Sequence, residues 1–228
     1  MYLIINMPKT TIALQRFKED GDAFTEIGID EAGRGPMFGR VYAAAVVLPR
    51  DGDYKHEDMK DSKRFHSEKK INAVADYIKD NALAYGVAYA SSEEIDRLNI
   101  RNATHTAMHA AIRTAMAALE GKTFHLLVDG NDFKPLTVMD GSMLTPVRHT
   151  CIEGGDNKFT SIAAASILAK VERDKYIAEV CAADPTLDER YGLLKNKGYG
   201  TQQHMDGIRE HGVAAEHRRS FGICRQFA

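Results

Sequence analysis

At 228 residues, 44% hydrophobic and 27% charged, the chain can form one domain with a real core, or a domain plus a small appendage. Its 30 Lys and Arg against 32 Asp and Glu give a formal net charge of −2, so nucleic-acid binding would need a local basic face. Cys151, Cys181 and Cys224 are odd in number and form no CxxC pair, which argues against a disulfide framework or zinc knuckle, and no apolar run has membrane-spanning length.

In chain order, "MYLIINMPK" is too short for a signal-peptide core and lacks a basic start. Residues 1–24 are therefore read as an N-terminal arm or first strand of a cytoplasmic protein. "FTEIGID" is a predicted strand, expected to end at Asp30, with Glu31 swinging round as the chain breaks toward Gly33. "RVYAAAVVLP" follows after a glycine-rich turn, which suits an antiparallel pair. "SEKKINAVADYIKD" sets Ile71, Val74, Ala75 and Ile78 on one helical stripe, with Ser67 as N-cap. "AYGVAYA" is a third strand, and "NATHTAMHAAIRTAMAAL" a long helix ending before Gly121. "FHLLVDG" follows that helix, as expected of a crossover into a parallel neighbour, and a short crossover leads on to "VRHTCIE". "SIAAASILAKVERDKYIAEVCAA" is a further helix, ending before Pro185.

These elements predict an α/β fold: a mixed five-stranded sheet flanked by helices over residues 25–183, with a helical region at 184–228 packed on it.

Four acids stand at strand ends: Asp30 and Glu31 after "IGI", Asp129 closing "HLLVD", and Asp156 beyond "HTCIEGG". Any one of them is readily a turn former or helix cap. Together, at the carboxyl ends of strands in one sheet, they suit a carboxylate cluster. Such a cluster repels itself unless protonated or bridged by hard cations such as Mg²⁺ or Mn²⁺. Two such ions can hold the attacking water and the leaving oxygen of a phosphodiester.

Gly33–Arg34–Gly35 is either a tight turn or a place where backbone lacking Cβ atoms approaches a ligand, with Arg34 near a phosphate. "DSK", Asp61 to Lys63, is either a loop before a helix or a phosphate clamp. Ser166 and Lys170, four apart on one helix, can face one groove, although "AAAS" equally suits close packing. Tyr199, flanked by glycines, is open between a recognition role and none. His105 and His109 lie one helical turn apart without a third metal ligand, so packing or surface positions are expected for them. His204, His211 and His217 are expected to be solvated in a polar tail, and Arg218 and Arg219 of "HRRSFG" to contact phosphate or decorate the surface.

"GIDEAGRGP", "KDSK", "LLVDG", "SIAAASILAKVERD", "KGYGT" and "HRRSFG" resemble, in order and spacing, the motifs of ribonuclease HII, the type 2 ribonuclease H. The resemblance spans about residues 25 to 224. It implies an RNase H-like fold and a metal-dependent endonuclease that cleaves RNA in RNA–DNA hybrids and incises 5′ of single ribonucleotides in duplex DNA. Cleavage would leave 3′-hydroxyl and 5′-phosphate ends, with no covalent enzyme intermediate.

By motif position Asp30, Glu31, Asp129 and Asp156 would hold two Mg²⁺ or Mn²⁺ ions with substrate bound, Asp30 bridging them. Gly33, Arg34 and Gly35 would sense the 2′-hydroxyl, the atom that separates RNA from DNA, through their backbone. Tyr199 would pack on the neighbouring sugar, and Ser62, Lys63, Ser166 and Lys170 would contact phosphates.

The chain departs from the family pattern in bulky Phe38 and charged Arg40, and in a "DSKRFHSEKK" loop longer than the usual form. The usual "KGD" reads "GGD", with Gly155 taken to replace the lysine. The final "QFA" lacks the full aromatic pattern of a sliding-clamp peptide, so no clamp tether is expected, and a monomer is the expected state. Two rival functions remain at this level: a non-cleaving RNA–DNA junction binder, and another RNase H-fold nuclease such as a junction resolvase. Retention of all four acids argues against the first, and the Gly33–Gly35 triplet against the second.

Overall fold

The computed structural model describes residues 13–19, 23–50 and 52–227, so residues 1–12 and 20–22 of the predicted arm at residues 1–24 lie outside the described residues. In chain order the elements are β1 (Thr25–Ala32), β2 (Val41–Val47), α1 (Glu68–Asn81), β3 (Ala84–Ala90), α2 (Ser92–Leu98), α3 (Ile100–Ala117) and β4 (Phe124–Asp129). They continue with β5 (Thr137–Asp140), β6 (Met143–Pro146), β7 (Arg148–Ile152), α4 (Thr160–Ala183), α5 (Thr186–Tyr191), α6 (Leu193–Asn196) and α7 (Gln202–His211).

Five strands form one mixed sheet in the order β3-β2-β1-β4-β7. β2 runs antiparallel to β1 and β3, whereas β4 runs parallel to β1 and β7. Every residue of β2 is buried, because this apolar strand is covered on both faces. On one face α3 packs Ala107, Met108, Ala111 and Ile112 against Ile27, Ile29, Leu126 and Val128. On the other, the alanine-rich start of α4, with Ile71, Ala75 and Ile78 of α1, covers Ala44 and Val46. Gly28 explains how closely α4 sits: a Cβ there would lie 2.1 Å from the Ser161 carbonyl carbon. The α4 backbone thus rests directly on β1, two residues before Asp30.

The segment between β4 and β7 is not a plain crossover. It contains the separate two-stranded sheet β5–β6, in which Asp140 pairs with Met143. Gly141, at φ +59, opens its two-residue turn, a position that glycine fills without strain. Val138 tucks against the α3 layer, while Met139 and Leu144 are exposed. α2 is a second addition, started by a capping box in which Ser91 and Glu94 satisfy each other's backbone N–H groups.

Beyond α4, Tyr191, Leu193 and Ile208 join Phe38, Tyr176 and Ile177 in another buried cluster, which docks the C-terminal helices on the sheet domain. Phe38 is fully buried and meets the His217 ring edge-on. The Arg40 guanidinium lies 4.0 and 4.5 Å from the ring centres of Tyr89 and Tyr176. Both unusual residues therefore have cation–π or apolar packing partners.

Candidate active site

β1 does not end at Asp30. Its ladder with β2 runs on through Glu31↔Ala43 to Ala32↔Tyr42, whereas its pairing with β4 stops at Ile29↔Val128. The alternation of side chains therefore holds: Asp30 shares the α4 face with Gly28, and Glu31 belongs to the opposite pleat. The two acids meet because β1 outruns β4, leaving Glu31 at the open end of the sheet. The same register sets Asp30 beside Asp129, the last residue of β4.

Asp30 is buried, accepting a 2.7 Å bond from the Glu31 N–H and a further one from Ser166. Asp129 Oδ1 accepts from the Gly155 N–H at 2.6 Å. Asp156, in the short turn Gly155–Asn157 before α4, accepts a 3.0 Å bond from the Asn157 amide. Ser62 and Ser166 face each other at 3.1 Å, and the Lys63 N–H bonds the side chain of Asp61.

Every predicted site residue lines one cleft of about 510 Å³: the four acids, Gly33, Arg34, Gly35, Ser62, Lys63, Ser166, Lys170 and Tyr199. Arg173, Asp174, Lys195, Asn196 and Lys197 line it too, and sequence reasoning did not single them out. The cations among them, with Lys63 and Lys170, place positive side chains beside the acids of the cleft. In the sequence Arg173 stands among the charged residues that follow the apolar start of α4, so nothing local sets it apart.

Asp30, Glu31 and Asp156 are held against their ionised preference. Burial first, then Glu31 and Asp129, pushes the Asp30 carboxyl well above the usual carboxylate range. Burial also raises Glu31, against the opposing pull of Arg34, and burial followed by Asp61 and Asp129 raises Asp156. Burial works against the Lys63 ammonium, but Asp61, Asp156, Asp30 and Asp129 lift it above its ordinary value. A buried cluster of carboxylates of this kind fits hard divalent cations. Among the described residues no group of three or more His, Cys, Asp or Glu side chains is arranged to hold a metal ion by itself. These acids would therefore hold an ion together with water or substrate oxygens, the mode Mg²⁺ favours.

The opposite wall is made of backbone. Gly33 adopts φ +93, and a Cβ there would lie 2.1 Å from the Arg173 side chain, so glycine is required twice over. A Cβ on Gly35 would meet the Tyr199 ring at 3.4 Å, which places that ring beside the turn. Arg34 reaches back to Glu31 at 3.5 Å, and Lys170 pairs with Asp174 at 2.5 Å.

Further expectations fail here. The triplet "GGD" is Gly154, Gly155 and Asp156, so the missing lysine corresponds to Gly154, which is exposed at φ +61. Gly155 has a different job: a Cβ there would come within 2.6 Å of Ile162 and 3.3 Å of Asp129. Arg218 is not a surface residue, because its side chain is wholly buried.

His204 and His217 are likewise buried, with their Nε2 atoms 3.0 Å apart. His217 Nδ1 accepts from the Ala214 N–H, and His204 Nδ1 must donate to the Tyr199 carbonyl. The proton between the rings therefore belongs to His217, both imidazoles are neutral, and the pair fastens the Tyr199 loop. His105 and His109 place Nε2 against the Asp132 and Lys134 carbonyls, at 3.3 and 2.7 Å, in a packing role.

The Ribonuclease HII family profile matches residues 27–224. Ribonuclease HII of Parabacteroides distasonis is 45% identical over 198 residues, spanning 87% of this chain and 90% of that protein. The Bacteroides fragilis protein of the same name is 42% identical, over 87% and 89%. Among solved structures, ribonuclease H2 from Pyrococcus horikoshii matches with a TM-score of 0.63 at 22% identity, over 89% of this chain and 96% of that one. Bst-RNase HIII in complex with Mn²⁺ matches with a TM-score of 0.56 at 17% identity, over 83% and 70%. At such identities these structures speak for a shared fold alone.

Proposed function

The chain belongs to the ribonuclease HII family and is a type 2 ribonuclease H, and from that premise we propose that it incises duplex DNA on the 5′ side of an embedded ribonucleotide, besides cutting RNA in RNA–DNA hybrids. The products would carry 3′-hydroxyl and 5′-phosphate ends. One observation carries this reading: the acid cluster and the Gly33–Arg34–Gly35 turn line the same cleft. A site that cuts a phosphate and reads the adjoining sugar needs both within a nucleotide's reach.

Asp30, Glu31, Asp129 and Asp156 would hold Mg²⁺ or Mn²⁺, two ions when substrate is present, in keeping with the Mn²⁺ bound by the RNase HIII relative. When bound, such ions supply a water activated at neutral pH and offset charge at the leaving oxygen. The chain's own groups do the rest. Ser166 holds the Asp30 carboxylate in place, and the Gly155 N–H does so for Asp129. Ser62, Lys63, Ser166 and Lys170 face the cleft where phosphates would pass. The ring of Tyr199, half exposed beside Gly35, offers a flat surface for the sugar next to the ribonucleotide. We assign residues 25–183 to the catalytic domain and 184–228 to a region that brings Tyr199 to it. Free Cys151, Cys181 and Cys224 accord with a cytoplasmic setting.

The test is a labelled DNA duplex with one ribonucleotide, incubated with Mg²⁺ or Mn²⁺ beside its all-DNA counterpart, with the product ends mapped. Cleavage of the first alone, 5′ of the ribonucleotide, is the expected result. Cleavage of both would indicate a different nuclease, and binding without product a junction-recognition protein.

A further inference from the structure

A fully buried arginine reads the back of the sugar-sensing turn. The Arg218 guanidinium donates to four backbone carbonyls of one short segment: Gly33 at 2.6 Å, Arg34 at 3.0 Å, Pro36 at 2.7 Å and Gly39 at 2.8 Å. Its own N–H donates to the Met37 carbonyl at 2.8 Å, and Phe38 pairs with His217 beside it. Among the described residues no acidic side chain forms a salt bridge with the guanidinium, and four of its five N–H groups are spent on this one loop.

Peptide planarity gives those contacts a consequence on the other side. The Gly33 carbonyl and the Arg34 N–H belong to one trans peptide, and the Arg34 carbonyl and the Gly35 N–H to the next. In a trans peptide the C=O and N–H point in opposite directions. Holding both carbonyls inward on Arg218 turns both N–H groups away from it, at residues that line the cleft. Among the described residues neither N–H has an acceptor. Donation from a cation to a peptide carbonyl also polarises that peptide and strengthens its N–H as a donor.

We propose that Arg218 is the positioning residue for ribonucleotide selection, fixing and polarising the Arg34 and Gly35 peptides so that their N–H groups meet a 2′-hydroxyl. This rests on the functional reading above. Arg218 touches no reacting atom; it sets the geometry of the groups that do the discriminating. Lysine is a poor substitute, since one ammonium cannot span four carbonyls held by a planar fork.

Arg218→Lys tests this, with Arg219→Ala, an exposed neighbour, as control. Two quantities are measured: kcat/KM on the single-ribonucleotide duplex, and the inhibition constant of the all-DNA duplex as competitor. For Arg218→Lys the first should fall by about tenfold or more while the second stays within about twofold, and Arg219→Ala should leave both unchanged. No loss in kcat/KM, or equal losses in both quantities, would overturn the proposal. Failure of the wild type to cut the ribonucleotide duplex would instead sink the functional reading.

If Arg218→Lys does not fold, wild-type protein labelled with ¹⁵N-arginine decides the matter in metal-free buffer, at concentrations where both duplexes shift backbone signals. The Arg218 Nε–H resonance should move with the ribonucleotide duplex and hold still with all-DNA. The same response to both duplexes would refute the assignment.

Discussion

The two walls of the cleft are built on opposite plans. The acid wall is made of side chains at strand ends that are adjacent in the sheet, and it is left electrostatically unfinished, with Asp30, Glu31 and Asp156 all raised by burial. The Gly33–Arg34–Gly35 wall, proposed to read the sugar, presents backbone and is finished from behind by Arg218, which lies 185 residues along the chain from Gly33. One wall is poised for a cation; the other supplies its own. On the proposed function, cutting and selecting are separable, because different residues would serve each.

The largest effect should come from Asp30→Asn. Cleavage should fall by at least roughly a hundredfold, the scale of losing a group that stabilises transition-state charge. Thermal stability should stay level or rise, since an amide removes a buried charge beside Glu31 and Asp129 while still accepting from the Glu31 N–H. A large drop in melting temperature would show that Asp30 is structural.

On the other wall, Gly33→Ala should lose both activity and stability, because the new methyl meets Arg173 and the residue keeps φ +93. Gly52→Ala isolates the backbone strain, since Gly52 has φ +90 with nothing within 4 Å. Denaturant unfolding should show a cost of about 1–2 kcal/mol at Gly52 and more at Gly33. Equal costs would deny the Arg173 contact.

A smaller effect concerns acid. Burial, followed by His204, pushes His217 from the ordinary 6.5 down to about 4, and burial lowers His204 as well. The unfolded chain takes up protons in that window that the folded chain refuses. The stability held above pH 6.5 is therefore lost progressively as the pH falls toward about 4. Melting curves across that range should fall less steeply for His217→Gln than for the wild type. Parallel curves would mean the pair is not what titrates.

The smallest effect is expected from Gly154→Lys, which restores the lysine of the family pattern. The site is exposed and open, at φ +61, so the change should cost about 1 kcal/mol of stability. It should lower KM for the ribonucleotide duplex by a few-fold, and an unchanged KM would show that this chain has no use for the charge.

Much of the fold could be read in advance because it is written locally. Apolar strands and the Ile71–Ile78 stripe carry their own periodicity, the glycine-rich turn separates β1 from β2, and Asp129 marks where β4 stops. The β5–β6 hairpin was obscured because its exposed Met139 and Leu144 look like core residues. What sequence patterns miss is support across distance. Arginine and histidine in a polar tail read as surface, yet Arg218, His204 and His217 are buried by loops that only tertiary packing brings to them. The path of Glu31 was misjudged for a related reason: whether a strand outruns its neighbour depends on register, which neither strand shows alone.

The most direct test of separable walls is the binding preference of Asp30→Asn, measured as the ratio of its dissociation constants for all-DNA and single-ribonucleotide duplexes of one sequence. The variant should cut neither duplex and still prefer the ribonucleotide by the wild-type ratio. Loss of that preference together with cleavage would contradict the account.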